Sequence, residues 1–193
     1  MTKARGRAGS VRIISGHWRG TRLPVADLDG LRPTADRVRE TLFNWLMPVL
    51  PGARVLDLFA GSGALGFEAL SRGAAAATLV ERETGPATAL REVAARLPGG
   101  EAAEIVRMDA ISWLTQAARE GRRYDIAFID PPFAGELWQP AIDGALPLMA
   151  DAAWLYVEMP VRGVSITLPD EWRLHREAGT REVASRLWRR GGA

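Results

Sequence analysis

The chain has 193 residues, 47% of them apolar and 25% charged, which suits one globular domain with a single core. It holds no cysteine and only two histidines, His17 and His175, which excludes disulfides, thiolate metal sites, a cysteine nucleophile and a multi-histidine metal centre. Net charge is +2; no apolar run is long enough to span a bilayer, and no apolar stretch of the secretory kind follows the basic start, so a cytoplasmic protein without a membrane partner is expected.

The charge is unevenly spread. Residues 1–24 carry Lys3, Arg5, Arg7, Arg12, Arg19 and Arg22 and no acid, a local footprint of the kind that meets phosphate. Residues 1–10 read as a disordered basic tail. Val11–Ser15 and Thr21–Leu23 then read as a small hairpin around Gly16-His17-Trp18-Arg19-Gly20. At its tip, Trp18 between His17 and Arg19 suits base stacking beside phosphate contact. The competing reading folds Trp18 back over the domain edge; stacking is the favoured one. Thr34 is an expected N-cap, and Val38, Leu42, Leu46 and Val49 recur at helical spacing as far as Pro51.

From residue 51 strands and helices alternate. Strands are expected at Arg54–Leu58, Ala76–Glu81, Glu104–Met108, Tyr124–Ile129 and Trp154–Glu158, and helices at Ala64–Arg72, Thr84–Leu97, Ala110–Glu120 and Glu136–Met149. This rhythm predicts an α/β fold with a mostly parallel sheet and helices on both faces. Trp172–Glu177 and Glu182–Arg189, flanking Gly179-Thr180, break it and read as a closing antiparallel hairpin. The organisation expected is a tail (1–10), a hairpin and helix extension (11–50) and one Rossmann-like domain (51–193).

After the first parallel strand comes Asp57-Leu58-Phe59-Ala60-Gly61-Ser62-Gly63-Ala64-Leu65-Gly66, a G-x-G-x-x-G between strand and helix. Its glycines permit a tight turn and close backbone approach to a ligand. Glu81 ends the next strand, where a carboxylate takes ribose hydroxyls. The fingerprint alone fits a dinucleotide or S-adenosylmethionine (SAM). Two acids favour SAM: Asp57 suits a cationic amino-acid moiety and repels pyrophosphate, and Asp109, after the third strand of this series, offers an acceptor to an adenine amine. Either acid is alternatively a helix cap or a solvated loop residue.

Asp130-Pro131-Pro132-Phe133 follows the strand Tyr124–Ile129, at the edge where open α/β sheets bind ligands. Proline stiffens the loop and leaves carbonyls free to accept. Asp130 adds charged acceptors and Phe133 a flat apolar ring. Together they suit a planar base carrying an amino group; the plainer alternative is a capped turn with a packed Phe.

In this order the glycine loop, Glu81 and Asp130–Phe133 resemble the class I SAM-dependent amino-methyltransferases. Arg12–Gly20 and Leu31-Arg32-Pro33-Thr34-Ala35-Asp36-Arg37-Val38-Arg39-Glu40-Thr41-Leu42-Phe43-Asn44-Trp45-Leu46 resemble the RsmD family, and the likeness runs from about Val11 to Arg189. Thr21 and Ser185 depart from its pattern, where a basic and an aromatic residue are expected. The resemblance implies an enzyme that methylates the exocyclic N2 of a guanine in 16S ribosomal RNA, acting on the small subunit or its assembly intermediate; a monomer is the default expectation. It implies Asp130, Pro131, Pro132 and Phe133 as the catalytic loop. SAM would be held by Asp57, Phe59, Gly61, Gly63, Glu81, Asp109, Ala110, Arg32 and Thr34, and RNA by Arg12, His17, Trp18, Arg19, Arg22 and Arg37, with no metal. Three other readings stand beside it, and the first, a nicotinamide dehydrogenase, explains the glycine loop and Glu81 but not Asp57 or Asp130–Phe133. A DNA adenine or cytosine amino-methyltransferase uses the same tetrapeptide, but no target-recognition insertion is visible; a non-catalytic ribosome-associated RNA-binding module would not need the intact loop.

Overall fold

A computed structural model describes residues 9–25, 36–133 and 136–191. Strands β1 (Ser10–Arg12) and β2 (Arg22–Pro24) pair antiparallel as the expected hairpin. Helix α1 (Asp36–Leu46) follows, and then β3 (Arg54–Asp57), α2 (Ala64–Ser71), β4 (Ala76–Glu81), α3 (Thr84–Arg96), β5 (Ala103–Arg107), α4 (Ala110–Arg119), β6 (Tyr124–Ile129), α5 (Trp138–Ala145), β7 (Met149–Pro160), β8 (Trp172–Gly179) and β9 (Val183–Arg190).

The last seven strands form one sheet in the order β5-β4-β3-β6-β7-β9-β8. The pairings among β5, β4, β3, β6 and β7 are parallel, while β9 runs antiparallel to both of its neighbours. The order reverses at β3. The chain steps outward to β4 and β5, then returns to place β6 on the other side of β3. The C-terminal ends of β3 and β6 therefore flank the switch point where such sheets open a crevice.

Side chains alternate between two cores. Val55, Ile126, Phe128 and Tyr156 face α1, α2, α3 and the N-terminal hairpin; Leu56, Ala127, Ile129 and Val157 face α4 and α5. Period-2 alternation of apolar residues on both faces marks a sheet covered twice. Fully burying each such aliphatic or aromatic side chain contributes about 1.5–3 kcal/mol. Ile13, Trp18, Leu23, Leu42, Phe43 and Leu46 share the first core with the sheet. Phe43 meets Phe128 edge-on at 5.9 Å, which lays α1 across β6.

Several boundaries differ from the sequence reading, most at β7 and α5. Strand β7 starts at Met149 rather than Trp154, because Met149 already pairs with Tyr124 before the register shifts. Helix α5 starts at Trp138 rather than Glu136, and its last turn, Leu146–Leu148, tightens to 3₁₀ around Pro147. Thr34, the expected N-cap, and the basic tail as far as residue 8 lie outside the described residues.

Candidate active site

The glycine loop runs from the end of β3 to the start of α2. Gly61 and Gly63 have φ of 52° and 76°, a left-handed backbone that L side chains resist. The Ala60 N–H donates to the Val80 carbonyl at 2.9 Å, tying the loop to β4. Glu81, half-buried at the end of β4, accepts from the Gly61 N–H at 3.0 Å and from the Glu83 N–H at 2.7 Å. Its carboxylate thus stands beside the loop, at the position where a ribose acceptor is expected.

Asp57 is placed differently from the sequence reading. Only 3% of it is exposed, and one oxygen accepts the Gly66 N–H at 2.9 Å. Burial pushes its carboxyl up to about 7; the Gly66 N–H pulls it back and Glu81 adds to the rise. The carboxylate braces the start of α2 from beneath the loop, so direct contact with a cationic ligand is not what its position favours. Gly63 also differs. A Cβ there would lie 2.6 Å from both Leu90 and Phe67 side chains, so core packing forbids a side chain at that position. Gly66 has the same kind of reason, with Leu79 at 2.8 Å.

Asp109 caps α4: an oxygen accepts the Ser112 N–H at 2.9 Å, and that bond holds its carboxyl below the ordinary carboxylate range. The capping alternative therefore holds, while the exposed carboxylate keeps acceptor capacity toward the crevice edge. Phe59 is half-buried and packs on the second core, and Ala110 is buried behind Asp109. Arg32 lies, like Thr34, outside the described residues.

Across the switch point, Asp130 follows β6. It is half-buried, Pro131 is buried and Pro132 is exposed. Phe133 is 51% exposed, with its ring 6.1 Å from that of Trp138 at a tilt of 37°. A large aromatic left half in solvent at the sheet's ligand-binding edge is available for stacking. The backbone links the two loops, since the Leu58 N–H donates to the Phe128 carbonyl at 3.1 Å.

The hairpin tip overturns the exposed-tryptophan reading. Trp18 is 8% exposed, its Nε1–H donates to the Pro98 carbonyl at 3.0 Å, and its ring meets Phe67 edge-on at 6.3 Å. An indole packed in this way presents no face to a base. The cause lies in α2, where Glu68 and Ser71 are fully buried. Glu68 accepts the N–H groups of Ile14 (2.7 Å) and Ser15 (3.0 Å) and pairs with Arg72. The Ser71 hydroxyl accepts the Trp18 N–H at 2.9 Å and donates to the Ser15 carbonyl at 2.6 Å, and the Ser71 carbonyl accepts the His17 N–H at 2.8 Å. Gly16, at φ 83°, lies so close that a Cβ would meet the Ser71 carbonyl oxygen at 1.8 Å. The Gly16–Gly20 turn is thus clamped on the C-terminal end of α2. His17, Arg12, Arg19, Arg22 and Arg37 remain exposed, a basic surface without the aromatic platform.

The sequence reading missed Glu68, Ser71 and a buried pair on β7, Tyr156 and Glu158. The signal was present in Ala64–Ser71, a helix apolar almost all round, in which a lone acid and a lone serine demand buried partners. Among the described residues no group of three or more His, Asp or Glu is arranged to hold a metal ion.

The strand order with its single reversed strand, the glycine loop after β3 and the acidic proline loop after β6 define the class I methyltransferase fold. A family model described as Conserved hypothetical protein 95 matches residues 11–189. Ribosomal RNA small subunit methyltransferase D of Escherichia coli strain K12 is 48% identical over 189 residues, covering 95% of this chain and 91% of that protein. The Haemophilus influenzae protein of the same name is 43% identical over 187 residues, covering 93% and 94%. The solved structure of yhhF, an Escherichia coli protein described as a methyltransferase, superposes with a TM-score of 0.85 at 45% identity, covering 96% of this chain and all of that one. The chain therefore belongs to this family, that of the small subunit methyltransferase D proteins.

Proposed function

We propose that the protein is a SAM-dependent methyltransferase that modifies the exocyclic N2 of a guanine in 16S ribosomal RNA, on the assembling small subunit in the cytoplasm. The observation that carries this reading is the loop Asp130–Phe133, set across the switch point from the glycine loop with its aromatic ring half in solvent. The names of the relatives add the small-subunit RNA context.

The residues present suit SAM. Glu81 stands where ribose hydroxyls need an acceptor, Asp109 offers one to the adenine end, and the left-handed backbone at Gly61 allows close approach. Bound SAM supplies an electrophilic methyl group on a sulfonium. The protein's part is to orient the nucleophile. The N2 lone pair is delocalised into the guanine ring, so the amine attacks poorly until that conjugation is reduced. Asp130 and the Pro131 carbonyl would accept the two amino protons and turn the lone pair toward the methyl carbon. The methyl that SAM would supply leaves the amine nitrogen cationic, and Asp130 or water would take the proton it sheds. Phe133 would stack on the extruded base. Arg12, Arg19, Arg22 and Arg37 would hold RNA phosphates.

Asp130→Ala tests this. With tritiated SAM and small-subunit particles from cells lacking the protein, turnover falls roughly a hundredfold or more while SAM affinity holds, since lost orientation alone costs about that much. Turnover near wild type at saturating SAM would remove Asp130 from the role, and absence of any missing guanine methylation in those cells would overturn the substrate.

A further inference from the structure

Glu158 is a second carboxylate at the same sheet edge. It is 9% exposed. In the β6–β7 register Phe128 stands opposite Tyr156 and Ile129 opposite Val157, so the next step sets Asp130 beside Glu158. Neighbouring strands lie about 4.8 Å apart. The Tyr156 hydroxyl, fully buried beneath, donates to one Glu158 oxygen at 3.0 Å. Burial first, and then the charges of Glu158 and Asp130, raise the Tyr156 phenol well above its ordinary value, which fits two carboxylates converging over one hydroxyl. The Glu158 main chain is held as well, because the Trp138 Nε1–H donates to its carbonyl at 2.8 Å. Trp138 is the residue against which Phe133 packs, so a single indole fixes both the stacking ring and the second acid.

We propose that Glu158 accepts the N1–H of the target guanine and so selects guanine over bases that carry a lone pair at N1. This rests on the guanine-N2 reading above and deepens it. Guanine offers two kinds of donor side by side, N1–H and N2–H2, on two nitrogens bonded to the same carbon, C2. If Asp130 and the Pro131 carbonyl hold the amine, the carboxylate one strand over is the acceptor placed for N1–H. A carboxylate has about four acceptor sites, and the Tyr156 hydroxyl occupies one of them. The Tyr156 bond also holds the carboxylate in place, and a buried, preset acceptor discriminates more sharply than one in solvent. Adenine and 2,6-diaminopurine both present an N1 lone pair to that carboxylate. Diaminopurine still carries the 2-amino group, so the two contributions separate cleanly.

The experiment places guanosine or 2,6-diaminopurine riboside at the mapped target position of 16S RNA, rebuilds the small-subunit particle and measures methyl transfer. The wild-type protein should prefer guanine by about a hundredfold or more in kcat/KM. Glu158→Gln keeps an oxygen for the Tyr156 hydroxyl and gains an N–H donor for N1 of diaminopurine. It should narrow the ratio about tenfold or more, at unchanged SAM affinity, whereas Asp130→Ala lowers both substrates by the same factor. Equal use of the two bases by wild type overturns the proposal whether or not the variant folds. An unchanged ratio in a folded Glu158→Gln protein overturns it too. If wild type methylates neither base, the guanine-N2 reading has failed and takes this one with it; if guanine is methylated without discrimination, only the Glu158 assignment falls.

Discussion

Replacing Trp18 with alanine distinguishes a core tryptophan from one that touches RNA. The indole is 8% exposed. A side chain of this size buries about 150–250 Å², and at about 25 cal/mol per Å² the transfer free energy has an upper bound of about 4–6 kcal/mol. Aromatic-to-alanine losses in cores run about 3–5 kcal/mol, and that is the expected cost. The edge contact with Phe67 and the bond to the Pro98 carbonyl fall within it. In a domain of this length the melting temperature should drop on the order of 10 °C. Trp18→Phe retains most of the packing and loses the N–H, so it should cost about 1 kcal/mol. Urea titrations of the three proteins, with calorimetry, give both differences. A stacking residue would behave in the opposite way, with unchanged stability and a loss of about 1–3 kcal/mol in RNA affinity. If Trp18→Ala melts with wild type and binds the small subunit more weakly by that amount, the indole faces RNA and does not serve the core.

Asp57→Asn should change how stability responds to pH. The folded carboxyl titrates at about 7, above its ordinary 3.8, so its contribution is complete below the lower value and is lost as pH rises through the upper one. Asparagine retains an acceptor for the Gly66 N–H and cannot ionise. The variant should match wild type near about pH 4 and exceed it near about pH 8, with the gap widening by about 1.4 kcal/mol for each pH unit crossed between the two values; urea midpoints that still fall in parallel with wild type would refute the assignment. Replacing Arg12, Arg19 and Arg22 with alanine should reduce the salt dependence of RNA binding by about 0.7 in log–log slope for each phosphate no longer neutralised. Surface changes of this kind leave stability within about 0.5 kcal/mol each. A triple variant that binds the small subunit normally and loses SAM would place these residues in the cofactor pocket instead.

The strand and helix rhythm from Arg54 to Arg190 was legible because most elements are apolar at their own period. Asp130–Phe133 was legible because a carboxylate, two prolines and an aromatic ring after a buried strand have few other uses. The side chains' partners were not legible. Asp57 and Asp109 sit where ligand acceptors are expected, yet one accepts the Gly66 N–H and the other caps α4. A carboxylate near a helix start serves either purpose with the same letters. Gly63 fits a ligand-approach pattern, while Leu90 and Phe67, distant or helical neighbours with no mark in the motif, explain it. Trp18 beside Arg and His reads as a nucleic-acid contact until Glu68 and Ser71, more than fifty positions away, draw its turn inward.

That inward draw makes the hairpin inseparable from the rest of the molecule. A version cut back to residue 51 would not be a minimal catalytic unit. It would leave a carboxylate on Glu68 and a hydroxyl on Ser71 facing a vacated cleft, and would strip Phe67 of its aromatic neighbour Trp18. Helix α2 carries the glycine loop at one end and this clamp at the other, over eight residues, a strut of about 12 Å. The basic surface therefore moves as one body with the loop beside Glu81. The backbone that carries Arg12, Arg19 and Arg22 is thereby set relative to that loop when the chain folds.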